Sequence, residues 1–272
     1  MKILTAAILG VVQGLTEFLP VSSSAHLMLM PWLFGWTPEG LAFDVSLHLG
    51  TAIAILAFFW SDWAALIKEA VCGLSKGKPL GNQPRRLAWY LIAGSAPAAV
   101  AGYMLEDLVE NRLRSPLVTA AALAVFGLVL YVAEIHFRQT RTIKDLRWAD
   151  AVFIGCCQAI ALIPGVSRSG ITISGGLICN MDRISATRFS FLLATPIVVG
   201  AGMLKILQLA VTEGAAVRWD VFAVGMSCAA FTGLLCIKYF LRYVGGHTFK
   251  PFVAYRFLLA GLVLMYYFKY ML

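Results

Sequence analysis

Charge is what this chain has least of. Asp, Glu, Lys and Arg make up 13% of its 272 residues, while 60% are hydrophobic and the mean hydropathy is +0.80. A soluble domain carries about 25% charged residues, so an ordinary water-soluble globule is excluded and an integral membrane protein with little mass outside the bilayer is implied. The net charge of +8 does not point to nucleic acid, because no basic stripe with interleaved aromatics accompanies it. The positive residues sit in short loops between apolar runs, as membrane topology requires. Metal- or disulfide-forming cysteine patterns are also missing. Cys72, Cys156, Cys157, Cys179, Cys228 and Cys236 show no CxxC spacing, and most lie in apolar runs where a thiol packs as a small hydrophobe. No secretory signal is expected: the first apolar stretch holds Gln13 and Glu17 and runs into the repeat described next, as part of the mature fold.

What the chain does have is a polar turn written twice. Residues 9–25 (LGVVQGLTEFLPVSSSA) and 154–170 (IGCCQAIALIPGVSRSG) align without a gap at an offset of 145. Gly10, Gln13, Val21, Ser22 and Ser24 match Gly155, Gln158, Val166, Ser167 and Ser169. Ser46, Leu49, Thr51 and Ile53 match Ser190, Leu193, Thr195 and Ile197 at an offset of 144. Broken apolar segments in both halves point to a site between two repeats at mid-membrane depth. The copies differ where chemistry is at stake. Glu17, Ser23 and His26 face Leu162, Arg168 and Ile171, so one half supplies acid, base and nucleophile and the other a fixed positive charge.

Apolar runs at roughly 45–67, 87–105, 117–137, 187–210, 219–242 and 251–270 are each near the ~20 residues of a membrane-crossing helix. The serine-turn segments, about 3–33 and 149–181, are broken by Pro20 and by Pro164-Gly165 and read as re-entrant hairpins, since irregular backbone at that depth must be buried or line a wet cavity. The expected architecture is an all-α integral membrane protein: one membrane domain over 1–272, repeat one 1–137 and repeat two 147–272. Three crossings per half make the repeats inverted. Loop charge agrees. Lys68, Lys76, Lys78, Arg85 and Arg86, then Arg138, Arg141, Lys144 and Arg147, then Arg242 and Lys250 fall on one face, assigned as cytoplasmic. Glu106, Asp107 and Glu110 against Arg112 and Arg114, and Glu213 with Arg218, fall on the other, with both termini outside.

Glu17 and Arg168 are charges inside apolar segments, which are functional hypotheses by default; the bland alternatives are a hydrogen-bonded glutamate and an ion-paired or snorkelling arginine. A guanidinium in a turn with Ser167, Ser169 and Thr172 suits a phosphate, and the half-helix that follows points free N–H groups into the same place. Ser22, Ser23 and Ser24 open the corresponding half-helix, where capping is the ordinary role of a serine. Ser23 and His26, three apart, share its face. His48 reads as a packed core residue because its repeat partner is Leu192. Arg256, near the start of the last span, reads as snorkelling or in contact with substrate, and Glu134 and Lys205 receive no chemistry.

QGLTEFLPVSSSAH (13–26) and PGVSRSGIT (164–172) resemble the two signature motifs of the undecaprenyl-diphosphatase family, and ATRFSFLLATP (186–196) and YRF (255–257) are similar to it as well. The resemblance runs through essentially the whole chain. It implies a bacterial inner-membrane phosphatase that converts undecaprenyl diphosphate to the monophosphate carrier of peptidoglycan precursors and confers bacitracin resistance when abundant. It also implies a divalent cation, Mg or Ca, with Glu17 as ligand; Gln13 stands where the motif has Glu or Gln, leaving one acid there. The expected roles are catalytic for Glu17, Ser23, His26 and Arg168, and substrate-binding for Gln13, Ser22, Ser24, Ser167, Ser169 and Thr172. Ser23 is the expected nucleophile, with His26 as acceptor and water activated at Glu17 left open. The site is expected to open to the outer face, the partners are membrane and polyprenyl diphosphate, and a homo-oligomer is left open. The rival is a secondary transporter or lipid flippase on the same frame.

Overall fold

The computed structural model describes residues 2–36, 40–108, 112–212 and 218–270. Eleven α-helices run through them: α1 (Ile3–Thr16), α2 (Ser23–Phe34), α3 (Leu41–Phe58), α4 (Trp60–Ser75), α5 (Gln83–Leu108), α6 (Pro116–His136), α7 (Trp148–Ile160), α8 (Arg168–Ile178), α9 (Arg183–Thr212), α10 (Trp219–Val244) and α11 (Lys250–Tyr270). The acidic loop residues Glu110 and Glu213 lie outside the described residues, as do the side chains of Glu106, Asp107 and Lys205.

Helices α5, α6, α9, α10 and α11 are long and apolar enough to cross a membrane. The sixth crossing differs from expectation. The 45–67 run is not one straight span, because the chain breaks at Phe59 and α3 and α4 meet at 77°. Neither proline nor glycine makes this break. The Arg188 guanidinium of α9 sits 5.4 Å over the Phe59 ring and pairs with Asp62 at 2.8 Å, so a partner far along the chain holds the corner. Beyond it α4 exposes Trp60, Ile67, Val71 and Leu74 beside Lys68, with Asp62 and Glu69 half-buried.

The serine-turn segments form two helical hairpins. Helices α1 and α7, of 14 and 13 residues, reach about 20 Å at 1.5 Å per residue, short of the ~30 Å hydrocarbon core. Their packing repeats with the halves exchanged: α1 lies against α10, and α7 against α5. Both crossings depend on glycines at matched repeat positions, with Gly14 adding a second close approach of α1 to α10. A Cβ at Gly10 would strike the carbonyl of Gly225, and one at Gly155 the carbonyl of Gly94. Between these pairs α3 packs on α9 and α6 on α11, and α8 is wedged against α6, α7 and α9. The largest apolar cluster has Phe18 of the first turn, Ile55, Phe59, Phe189, Phe191 and Phe240 among its members, while Val166 of the second turn packs in a smaller cluster with Ala122, Cys157 and Ile171. Phe18 meets Phe191 edge-on at 5.2 Å.

Candidate active site

Both turns end on a serine in a backbone conformation that L residues avoid. Ser22 has φ 75° and Ser167 has φ 71°, at matched repeat positions, and each is the N-cap of the helix that follows. The Ser22 hydroxyl accepts from the Ala25 N–H at 3.4 Å and the Ser167 hydroxyl from the Gly170 N–H at 3.1 Å. In both copies the capping hydroxyl also lies 3.2 Å from that of the serine two residues on, Ser24 or Ser169. A non-glycine residue held at positive φ costs about 1–3 kcal/mol and persists where the surroundings fix it, often at a functional site. Ser22, expected to bind substrate, thus takes the ordinary capping role of a serine, in a strained form shared by both halves.

The residues that differ between the copies converge. Glu17, only 6% exposed, accepts from Gln13 Nε2 at 3.0 Å and from the Ser23 hydroxyl at 2.5 Å, both on Oε2. Its Oε1 accepts from Arg168 Nη2 of the other hairpin. A second link joins the hairpins, the Ser169 hydroxyl donating to the Leu19 carbonyl at 3.0 Å. Beside the ion pair is a cavity of about 10 Å³, with Glu17, Arg168, Ser169 and Ser190 on its polar side and Phe18, Ile55, Phe191 and Ala194 on its apolar side, room for about one water.

His26 is placed differently from Ser23. Its Nδ1 is 2.7 Å from the Ser22 carbonyl and its Nε2 is 2.6 Å from the Tyr255 hydroxyl. A carbonyl only accepts, so Nδ1 carries the hydrogen and Nε2 accepts from the tyrosine, the tautomer being assigned from the partners. The imidazole steadies the strained turn, and the Ser23 hydroxyl bonds to Glu17 instead. Thr172 is fully buried, with its hydroxyl bonded to the Arg168 carbonyl at 2.7 Å and to Ser190 at 2.6 Å, turned toward α9.

Two residues near Glu17 escaped the sequence reading. His48 Nε2 lies 3.5 Å from Glu17 Oε2, with Nδ1 2.8 Å from the Asp44 carbonyl. The signal was present: His48 against Leu192 is the same kind of asymmetry between copies as Glu17 against Leu162. Ser190, which lines the cavity, is the repeat partner of Ser46. Arg256 neither snorkels nor reaches the cavity. It is fully buried and donates only to backbone carbonyls.

Oxygen donors around Glu17 suit a hard divalent cation that arrives with a phosphate. They comprise its carboxylate, the Ser23 hydroxyl, and Gln13 Oε1, which is buried without a hydrogen-bond partner. No group of three His, Cys, Asp or Glu side chains that could hold a metal occurs among the described residues, so this is no all-protein cage. One carboxylate completed by substrate oxygens is a common way to hold Mg²⁺.

Fold and site together define a class: a helical, multi-span membrane protein whose polar centre forms where two serine-turn hairpins meet. Within that class the chain belongs to the family of bacitracin resistance protein BacA, whose family model matches residues 6–262. It is 48% identical over 273 residues to a protein named undecaprenyl-diphosphatase from Geobacter sulfurreducens, covering 98% of this chain and 99% of that one. Proteins of the same name from Moorella thermoacetica (46% over 263 residues, 97% of each chain) and Desulforudis audaxviator (45% over 258 residues, 95% of each chain) are similar to it as well.

Proposed function

We propose that this chain is a membrane phosphatase that hydrolyses undecaprenyl diphosphate to undecaprenyl phosphate and inorganic phosphate, returning a lipid carrier to cell-wall synthesis. The observation that carries this reading is the single contact in which a serine hydroxyl, a carboxylate able to take its proton, and a guanidinium meet from two hairpins. Phosphoryl transfer needs positioning and charge stabilisation above all, and these three groups supply both.

The incoming diphosphate draws Arg168 from Glu17 onto its terminal phosphate, which offers the guanidinium paired oxygens. Ser167, Ser169 and the first-turn N–H groups of α8 complete the cradle, where a helix N-terminus favours an anion. Loss of the ion pair leaves Glu17 free to accept the Ser23 proton as Oγ attacks the terminal phosphorus. The bond to the bridging oxygen breaks and undecaprenyl phosphate departs. Glu17 hands that proton to the departing lipid phosphate; water then attacks the phosphoserine, Glu17 taking its proton and passing it to Ser23 Oγ as the serine–phosphorus bond breaks, which releases phosphate and restores Ser23. Gln13 holds the carboxylate in line throughout, Ser22 and Ser24 shape the turn, and His26 keeps that turn in place. A divalent cation held by Glu17, Gln13 Oε1 and Ser23 would neutralise charge on the diphosphate. Phosphoryl transfer to His26, or direct attack by water, are variants that Ser23's contact with Glu17 favours less.

The exchanged packing of α1 on α10 and α7 on α5 supports reading 1–137 and 147–272 as inverted repeats with re-entrant hairpins. Hairpin one then enters from the outer face, and the site opens there. The test is phosphate release from a long-chain prenyl diphosphate by purified protein, wild type beside Ser23→Ala. Release that vanishes in a folded variant is expected; wild-type-like release by Ser23→Ala removes the serine from the chemistry.

A further inference from the structure

Arg256 is the bulkiest fully buried side chain among the described residues, and none of them places a carboxylate within salt-bridge distance of it. A lone guanidinium buried in a membrane protein is costly unless its N–H groups find acceptors, and here backbone carbonyls take Nε, Nη2 and one N–H of Nη1. Nε donates to the Leu123 carbonyl at 3.1 Å and Nη1 to Pro20 at 3.3 Å. Nη2 faces the carbonyls of Ala122 at 3.3 Å, Gly165 at 2.9 Å and Val166 at 3.0 Å. Three of the five acceptors are turn carbonyls that a broken helix leaves without an N–H. They come from both hairpins. Pro20 lies three residues after Glu17 and two before the strained Ser22; Gly165 and Val166 immediately precede Ser167 and Arg168. The other two acceptors belong to α6, where Gly127 lets the arginine approach: the atoms nearest a Cβ there would all be Arg256's own, at 3.4–3.7 Å.

We infer that Arg256 is the positioning residue that sets the register between the Glu17–Ser23 half-site and the Arg168 half-site. It bolts both turns to α6 through one rigid, planar group whose donors span them together. This role rests on the phosphatase reading for its catalytic meaning but not for its structural content. Lysine keeps the charge yet presents its donors from one point, so it cannot bridge both turns in the same geometry. A displacement of about 1 Å between reacting groups is enough for a loss on the order of 100-fold.

The experiment compares wild type, Arg256→Lys, Arg168→Lys and the double variant for kcat and KM, together with amide hydrogen exchange. Arg256→Lys is expected to lower kcat on the order of 100-fold while KM moves by less than about threefold. The double variant is expected to be no slower than Arg168→Lys alone, because both substitutions act on the placement of one group. Exchange is expected to rise in 17–22 and 162–167 together, with α11 unchanged. Activity within about threefold of wild type, multiplicative losses in the double variant, or faster exchange confined to α11 would each overturn the inference. If Arg256→Lys fails to give monodisperse protein, Gly127→Val makes the same test by pressing on the arginine stem from α6. If wild type releases no phosphate, the phosphatase reading fails, and the exchange data alone decide whether Arg256 ties the turns.

Discussion

Removing the Arg168 guanidinium should destabilise the protein more than removing it together with its partner. Glu17's side chain is 4% exposed and Arg168's 18%. Arg168→Met leaves a buried carboxylate whose remaining hydrogen-bond donors, Gln13 and Ser23, are neutral, with the His48 imidazole 3.5 Å away. Breaking a buried pair from one side costs about 3–5 kcal/mol; with those two donors retained we expect the lower end, about 3 kcal/mol. In a chain of this size that is a fall in Tm on the order of 5–10 °C. Glu17→Gln leaves the cation, which has more exposure to relieve it, and should cost about 1–2 kcal/mol. The double variant Glu17→Gln with Arg168→Met has no uncompensated charge, so it should lie within about 1 kcal/mol of wild type, well short of the sum of the single losses. The assay is thermal unfolding in one detergent at one scan rate, since irreversible unfolding makes Tm rate-dependent, with phosphate release measured alongside. All three variants should be inactive. A double variant as unstable as the two singles combined would refute the claim that these charges hold each other in the fold.

Other outcomes follow from particular contacts. Gly155→Val drives a side chain into the Gly94 carbonyl and should cost about 1–3 kcal/mol, whereas Gly261→Ala, with nothing within 4 Å of its Cβ, should leave Tm unchanged; equal effects would contradict the helix crossing described. His26→Ala strips the donor from the Ser22 carbonyl and should lower both activity and Tm, while Tyr255→Phe removes one hydrogen bond worth about 1 kcal/mol. A Tyr255→Phe protein as damaged as His26→Ala would place the tyrosine in the chemistry instead. Chelation should abolish phosphate release, and Gln13→Glu should lower the cation concentration for half-maximal activity several-fold; unchanged cation dependence would remove residue 13 from that role.

The parts legible in the sequence share one property, a local or repeated cause. The hairpins were visible because Pro20 and Pro164-Gly165 break helices inside apolar runs, and because the offset of 145 repeats. Glu17, Ser23 and Arg168 stood out as departures from that repeat. The corner at Phe59 had no local cause, since an arginine 129 positions further along the chain holds it. His48, satisfied by the Asp44 carbonyl as a packed histidine would be, also stands 3.5 Å from Glu17, a neighbour that its asymmetry with Leu192 does not by itself identify. Arg256 could be recognised as costly but not as a clamp, because its acceptors are backbone carbonyls and these carry no residue identity.

The exchanged crossings also bear on how the protein is made. Helix α7 finds α5 already in place when it emerges, since residues 83–108 are synthesised first. Helix α1, emerging at the outset, must wait for residues 219–244 before its main partner exists. The counter-charge of Glu17 also comes late, since Arg168 lies 151 residues further along the chain. A nascent chain stopped before α8 therefore carries Glu17 without its ion-pair partner, and one stopped before α10 still leaves α1 without its main packing surface.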